Sequence, residues 1–265
     1  MPVRVESRGR IRIVTIDRPE VRNAVDRPTA AALDRAFRAF DADPLADVAV
    51  LAGDGGTFCA GADLLALDDP HRANRLEAGA AGPMGPTRRA IGKPVIAAIE
   101  GHAVAGGLEL ALWCDLRVMA EDAILGVFCR RVGVPLIDGG TVRLPRIVGL
   151  GRALDLILTG RAVDAEEALT IGLVTEVVPP GGTVQRAVEL AASLAALPQT
   201  TLRSDLTAAR EAFDRPLDEA LLREHHLGMG AIEAGGLTEG VARFQAGEGR
   251  GGSPLVSGDQ PSDVG

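Results

Sequence analysis

Two glycine-bearing stretches place small residues where backbone must approach something closely. They are Thr57-Phe-Cys-Ala-Gly61-Ala62-Asp63-Leu64 and Gly101-His-Ala-Val-Ala-Gly106-Gly107-Leu108-Glu109, each just ahead of an apolar run of helical character. One free N–H from each, converging on a single oxygen and aided by helix dipoles, would stabilise the negative oxygen of a thioester enolate. A donor of this type contributes about 2.7–4 kcal/mol to the transition state. As isolated loops the same glycines equally fit tight turns and close helix–sheet packing. Other chemistries lack their residues. There is no HExxH, and the adjacent His225 and His226 cannot share a helical face, so no metal site is expected. There is no GxSxG, and Gly149-Leu-Gly151 begins a dinucleotide fingerprint that fails at its third glycine. Lys93 is a lone Schiff-base candidate, and Pro94 after it excludes a phosphate-loop lysine.

These loops need a scaffold. Ile11 to Asp17 alternates well enough for a half-buried strand, and Thr29 to Phe40 carries apolar residues at helical spacing with Thr29 as N-cap. Val48 to Ala52 reads as a buried strand leading into the first loop, with a helix start near Ala62 to Leu64. Val95 to Ile99 leads into the second loop, followed by a helix from Leu108 to Trp113. Two strand–loop–helix units predict neighbouring parallel strands whose loops open on one side. Strands follow over 116–120 and 124–126, then helices over 139–148, 151–158 and 164–171, the last capped by Asp164 and closed by Gly172, and a final strand over 174–178. From Thr183 to Ala246 the pattern is helical, broken near Pro198, Pro216 and Gly235-Gly236. The expected organisation is a core over 1–180, a helical region over 181–246 and a disordered tail over 247–265.

The chain has 265 residues, 46% of them apolar, with six Phe, one Trp and no Tyr, which fits a globular protein with an aliphatic core. A net charge of -8 opposes a nucleic-acid partner, since such affinity comes from clustered Lys and Arg. No apolar run reaches bilayer-spanning length or follows the charged N-terminus as a leader would, so no membrane association and a cytoplasmic location are expected. Cys59, Cys114 and Cys129 lack CxxC spacing and read as reduced thiols.

Longer stretches carry a resemblance. Arg18-Pro-Glu-Val-Arg-Asn23-Ala24, Phe58-Cys-Ala-Gly-Ala-Asp-Leu64, Lys93 through Asp115, Gly139-Gly-Thr-Val-Arg-Leu-Pro-Arg146 and Leu158-Thr-Gly160 through Gly172-Leu-Val174 occur in the order found in the crotonase superfamily, the enoyl-CoA hydratases and isomerases. The resemblance runs from about Val3 to Phe244. It implies an α/β fold, a spiral of ββα units with a helical C-terminal region that forms a homotrimer, often a dimer of trimers. It also implies an acyl-CoA thioester as substrate, with coenzyme A part of that substrate and no separate cofactor.

By that resemblance the oxyanion-hole amides fall on Ala62 and Gly106, and Ala24, Ala60, Asp63 and Leu64 line the substrate. Ala105 replaces the first glycine of the family's usual triple, tolerable if its own amide faces away from the thioester. The first hydratase carboxylate falls on Glu109, three residues and one helical turn from Gly106; the alternative is a solvent-facing carboxylate favoured by the helix dipole. The second hydratase acid is replaced by Cys129, a buried filler whose pKa the neighbouring Arg130 and Arg131 would lower. Asp138 stands where dienoyl-CoA isomerases of the superfamily carry an acid; it either shares proton transfer with Glu109 or N-caps the helix over 139–148. His102 and Trp113 read as structural, while His71 lies in the variable stretch to Arg89 expected to line the acyl pocket. The implied activity is enoyl-CoA hydratase-like. The alternatives are an enoyl- or dienoyl-CoA isomerase using Glu109 and Asp138, and a catalytically silent acyl-CoA-binding protein.

Overall fold

The structure, a computed structural model, describes residues 1–79 and 81–247. The tail expected over 247–265 lies outside the described residues beyond Gly247. The chain opens with β1 (Val3–Arg8), β2 (Ile11–Ile16), α1 (Arg27–Ala42), β3 (Val48–Gly53), β4 (Val95–Ile99), β5 (His102–Val104) and α2 (Gly106–Trp113). It continues through β6 (Leu116–Ala120), β7 (Ile124–Gly126), α3 (Gly140–Val148), α4 (Leu150–Thr159), β8 (Ala162–Val163), α5 (Ala165–Thr170) and β9 (Glu176–Val178). Helices α6 (Thr183–Ala195), α7 (Gln199–Glu211), α8 (Leu217–Glu233) and α9 (Gly236–Gln245) follow.

The larger sheet has the order β1-β2-β3-β4-β6-β9, with β1 antiparallel to β2 and every other pair parallel. Its central strands are unbroken apolar runs because both faces are covered. The period of two sorts their side chains between two cores. Ala49, Leu51, Val95, Ala97 and Ile99 face α1 and α2, whereas Val48, Val50, Ile96 and Ala98 face α6. Helix α6 approaches the sheet through Ala187 and Ala191, small residues one turn apart, and so closes the second face. A smaller sheet, β5-β7-β8, stands beside the first, and Cys59 bridges to Ala103 along its β5 edge. That bridge brings the two glycine loops side by side.

Several local expectations change. The cap of α1 is Asp26, whose carboxylate accepts the Thr29 N–H at 3.1 Å; Thr29 lies inside the first turn. Asp26 outcompetes because its side chain faces the orphan donors from outside the helix. Only a 3₁₀ turn, Leu64–Ala66, follows the first glycine loop where a helix was expected. Strands β1 and β5 stand where no strand was expected, and the last strand begins at Glu176, two residues later than Val174. Asp164 does cap α5, accepting the Glu167 N–H at 2.9 Å, and Gly172 follows at φ +71°.

Candidate active site

Ala62 is set by pairing on one side. The Val25 N–H donates to the Gly61 carbonyl at 2.8 Å and the Asp63 N–H donates to the Val25 carbonyl at 3.0 Å, so both peptides flanking Ala62 are bound towards Val25. In such a parallel bridge the intervening residue's own N–H points away. Gly106 opens α2, where first-turn N–H groups have no helical acceptor. Neither the Ala62 N–H nor the Gly106 N–H has an acceptor among the described residues. The loops are in contact: a Cβ placed on Gly61 would lie 3.1 Å from the Gly106 nitrogen, and one on Gly107 would overlap the Cys59 carbonyl. Glycine at these positions permits close approach.

Ala105 turns the chain into α2 at φ +53° and ψ -125°, a conformation that costs a non-glycine residue about 1–3 kcal/mol. Its N–H donates to the Gly126 carbonyl at 2.9 Å, so it is committed elsewhere and does not compete with the Gly106 donor.

One turn into α2, Glu109 is buried at 3% exposure, which overturns the solvent-facing alternative. Its Oε1 accepts the Asp138 N–H at 2.9 Å and the Gly140 N–H at 2.8 Å. Burial pushes this carboxyl up to about 7; the Gly140 N–H opposes the rise and the Asp138 carboxylate adds to it. The group is therefore poised to give or take a proton near neutrality.

Asp138 does not cap α3. Gly139 occupies the cap position without a side-chain bond, and the Asp138 Oδ1 instead accepts the Met84 N–H at 3.0 Å and the Thr87 hydroxyl. Arg143 donates to the Asp138 carbonyl at 2.9 Å and to the Thr87 carbonyl at 2.6 Å. The turn at Met84 and Thr87 is thereby tied to the loop that bonds Glu109. Burial raises the Asp138 pKa, against the Thr87 hydrogen bond. Met84 and Thr87 carry no sequence signal for this role, because they act from more than fifty positions away.

Cys129 is buried. Burial raises its thiol pKa, the Glu109 charge adds to the rise, and Arg130 only partly opposes it. Arg131 lies over the Phe128 ring, 3.7 Å from the centroid, and donates to the Gly160 carbonyl. The expected lowering by Arg130 and Arg131 does not occur, and the thiol stays protonated at neutral pH.

Beside Ala62, the buried Asp63 carboxylate is held by Arg18 at 3.0 Å and Arg72 at 2.9 Å. Asp26 joins both arginines, at 3.4 and 3.1 Å respectively. Leu64 is exposed, Ala24 is buried with its carbonyl accepting from Arg18, and Ala60 donates its N–H to the Arg22 carbonyl. Asn23, at φ +56°, is a fastening residue missed by sequence reasoning: its amide donates to the Asp54 and Thr57 carbonyls and accepts from the Arg18 N–H. His71 and His102 are exposed, and Trp113 packs edge-on against Phe37 while bonding the Arg89 carbonyl. Lys93 donates to the Phe40 and Asp43 carbonyls, a structural use of its ammonium. Among the described residues no cluster of three or more metal-ligating side chains occurs, and no helix is long and apolar enough to cross a membrane.

Comparison with known proteins bears on this geometry. Residues 6–246 match the family described as enoyl-CoA hydratase/isomerase. An enoyl-CoA hydratase of Mycobacterium tuberculosis is 35% identical over 247 residues, covering 91% of this chain and 92% of that protein. The (E)-benzylidenesuccinyl-CoA hydratase of Thauera aromatica is 36% identical over 231 residues, covering 86% and 89%. The crystal structure of an enoyl-CoA hydratase from Mycobacterium tuberculosis superposes with a TM-score of 0.89 at 33% identity, covering 97% of this chain and 99% of the other. With its crotonase fold and this match along most of its length, the chain belongs to the enoyl-CoA hydratase/isomerase family of the crotonase superfamily.

Proposed function

We propose that this enzyme, enoyl-CoA hydratase-like and acting on an acyl-CoA, adds water across the double bond of an enoyl thioester, with Glu109 as its proton-transfer group. The observation that carries the reading is the buried Glu109 carboxyl one helical turn from the Gly106 N–H, which has no acceptor among the described residues. In this reading the thioester oxygen sits between the Ala62 and Gly106 N–H groups. Water attacks the β-carbon as Glu109 takes its proton, and the C=C electrons move onto the thioester oxygen as an enolate. The enolate collapses and the α-carbon receives the proton from Glu109, so hydroxyl ends on one carbon and hydrogen on the other. A single carboxyl near its pKa can serve in both directions. The cytoplasmic location and the homotrimer or dimer of trimers belong to the same proposal, as do substrate contacts from Ala24, Ala60, Asp63 and Leu64. Assay of the purified protein against enoyl-, dienoyl- and hydroxyacyl-CoAs, with thioester binding in parallel, tests it; binding without turnover of any would point to a silent acyl-CoA-binding protein.

The neutral Cys129 in the place of a second acid favours one further reading, double-bond isomerisation, which needs no activated water. There Glu109 removes a proton from one carbon and Asp138 returns one to another. Asp138→Asn separates the two. If Asp138 only ties the turn to the loop, Asn keeps an oxygen for Met84 and Thr87, turnover changes less than about tenfold, and loss of its charge moves the Glu109 pKa below about 7 in the pH profile. If it transfers protons, turnover falls by ~10²–10⁴.

A further inference from the structure

On the outer side of the Gly82–Gly85 turn lies a cavity of about 690 Å³ between α1 and the segment that follows the first glycine loop. Four arginines line it: Arg27, Arg35 and Arg38 from α1, and Arg75. Arg38 is paired with Asp34, which Arg89 also holds. The Arg27 side chain bonds only the Ala73 carbonyl, at 2.8 Å, and neither it nor Arg35 nor Arg75 has an acidic partner among the described residues. Glu77 is the one carboxylate on the wall besides Asp34. Three arginines without an ion-pair partner among the described residues thus line one concavity, with Glu77 the one carboxylate there left to offset them, in a chain whose net charge is -8. Like charges gathered in a cleft repel each other and focus a positive potential, which an anion relieves.

The cavity shares a wall with the candidate site. Gly82 and Gly85 exchange backbone hydrogen bonds at 2.8 and 2.9 Å, closing a turn whose tip is Pro83 and Met84. Gly82, Pro83 and Gly85 face the cavity, while the Met84 side chain reaches the Gly106 α-carbon from the other side, its sulfur 2.8 Å from where a Cβ would stand. One turn therefore separates the arginines from the proposed oxyanion donors.

We propose that this cavity is an anion-binding subsite for a carboxylate or phosphate group, whose oxygens accept from guanidinium forks in bidentate fashion. Two sources share that chemistry: a carboxylate at the far end of the acyl group, which rests on the acyl-CoA reading above, and a free small anion, which does not. The test compares wild type with Arg27→Gln/Arg35→Gln, a double variant of α1 residues outside the proposed catalytic machinery and outside the stretch expected to line the acyl pocket. One arm titrates succinate and inorganic phosphate by calorimetry. The other measures kcat/KM for a 2-enedioyl-CoA against the 2-enoyl-CoA of equal chain length.

An acyl carboxylate as occupant gives a wild-type preference for the enedioyl substrate of about tenfold, lost in the variant while the enoyl rate is unchanged; two partly exposed charge-assisted contacts at several-fold each make that difference. A free anion as occupant gives saturable binding weakened about tenfold in the variant and by added salt, with no substrate preference. Absence of both, with the enoyl substrate turned over, overturns the subsite. Failure of both thioesters to react would count against the hydratase reading, and the titration then decides the cavity alone.

Discussion

The two glycine loops look alike in sequence and are fastened differently. The second leads into a real helix, so Gly106 inherits an orphan N–H and the positive end of the α2 dipole, and the same turn of helix delivers Glu109. The first leads only into a 3₁₀ turn, too short to supply a comparable field. Ala62 is instead aimed by its pairing with Val25 and braced by the Arg18, Asp26, Asp63 and Arg72 ion cluster. One donor is set by a helix terminus and the other by a strand-like bridge with an electrostatic clamp. In the proposed function the two motifs meet at one oxygen by unrelated means, and the two halves should then fail differently when disturbed.

The α2 half should show the largest losses. Glu109→Gln keeps shape and hydrogen-bonding capacity while removing basicity, so turnover of an identified enoyl-CoA should fall by ~10²–10⁴ with thioester affinity little changed. An unaffected rate would remove Glu109 from the mechanism. The same variant has a stability signature. The unfolded carboxyl titrates near 4.5 and the folded one near 7, so between those values the native state holds a proton that the unfolded state has lost. Stability should therefore fall as pH rises through that window, by a total of about 3 kcal/mol, and Glu109→Gln should flatten the slope. Denaturant titrations at pH 5 and pH 8 measure it. Next in size is Gly106→Pro, which deletes the N–H and should cost about 2.7–4 kcal/mol of transition-state stabilisation plus local distortion. If the folded variant keeps its turnover, Gly106 is not a donor.

The reason sequence reasoning located both loops is that strand alternation and small residues are local signals. Val48 to Leu51 and Val95 to Ile99 announce themselves as buried runs, and parallel neighbours follow from the crossover between them. What was not legible depends on distant partners. Strand β1 shows little apolar periodicity, since five of its six side chains are exposed and it is defined only by pairing with β2. Strand β5 is three residues long, held by β7 and Cys59. The missing helix after Ala62 has a similar cause: Asp63 stands at the cap position, yet its carboxylate faces Arg18 and Arg72 and makes no cap bond. The cap role that Asp138 offered beside proton transfer fails for the same reason in reverse, because its actual partners, Met84 and Thr87, lie far away in the chain.

The first loop should break more gently. Asp63→Asn removes the charge that Arg18 and Arg72 share, but Asp26 remains within reach of both, so the arginines are not left wholly unpaired. The expected loss is about 1–2 kcal/mol of stability, below the ~3–5 kcal/mol of a fully broken buried pair. Turnover should fall less than tenfold as the brace on Ala62 loosens. A kinetic loss as large as that of Gly106→Pro would mean that the clamp, more than the Val25 pairing, aims the donor.

The smallest effect runs in the opposite direction and sharpens the contrast, because the second loop carries backbone strain at its entry. Ala105 holds φ +53° with a Cβ, and Gly there adopts the same angles without the steric conflict. Ala105→Gly should remove strain of about 1–3 kcal/mol and add back about 0.5–1 kcal/mol of unfolded-state entropy, for a net gain near 1 kcal/mol. Its N–H continues to donate to Gly126, so the direction of the Gly106 N–H and the turnover should stay within a few-fold of wild type. Chemical denaturation and steady-state kinetics on the one variant give both numbers. A stability loss would show that the Ala105 methyl contributes more through packing than its conformation costs. A rate loss without a stability loss would show that Ala at this position holds the α2 entry rigid for catalysis, the trade of stability for a fixed donor that strained turns at active sites can make.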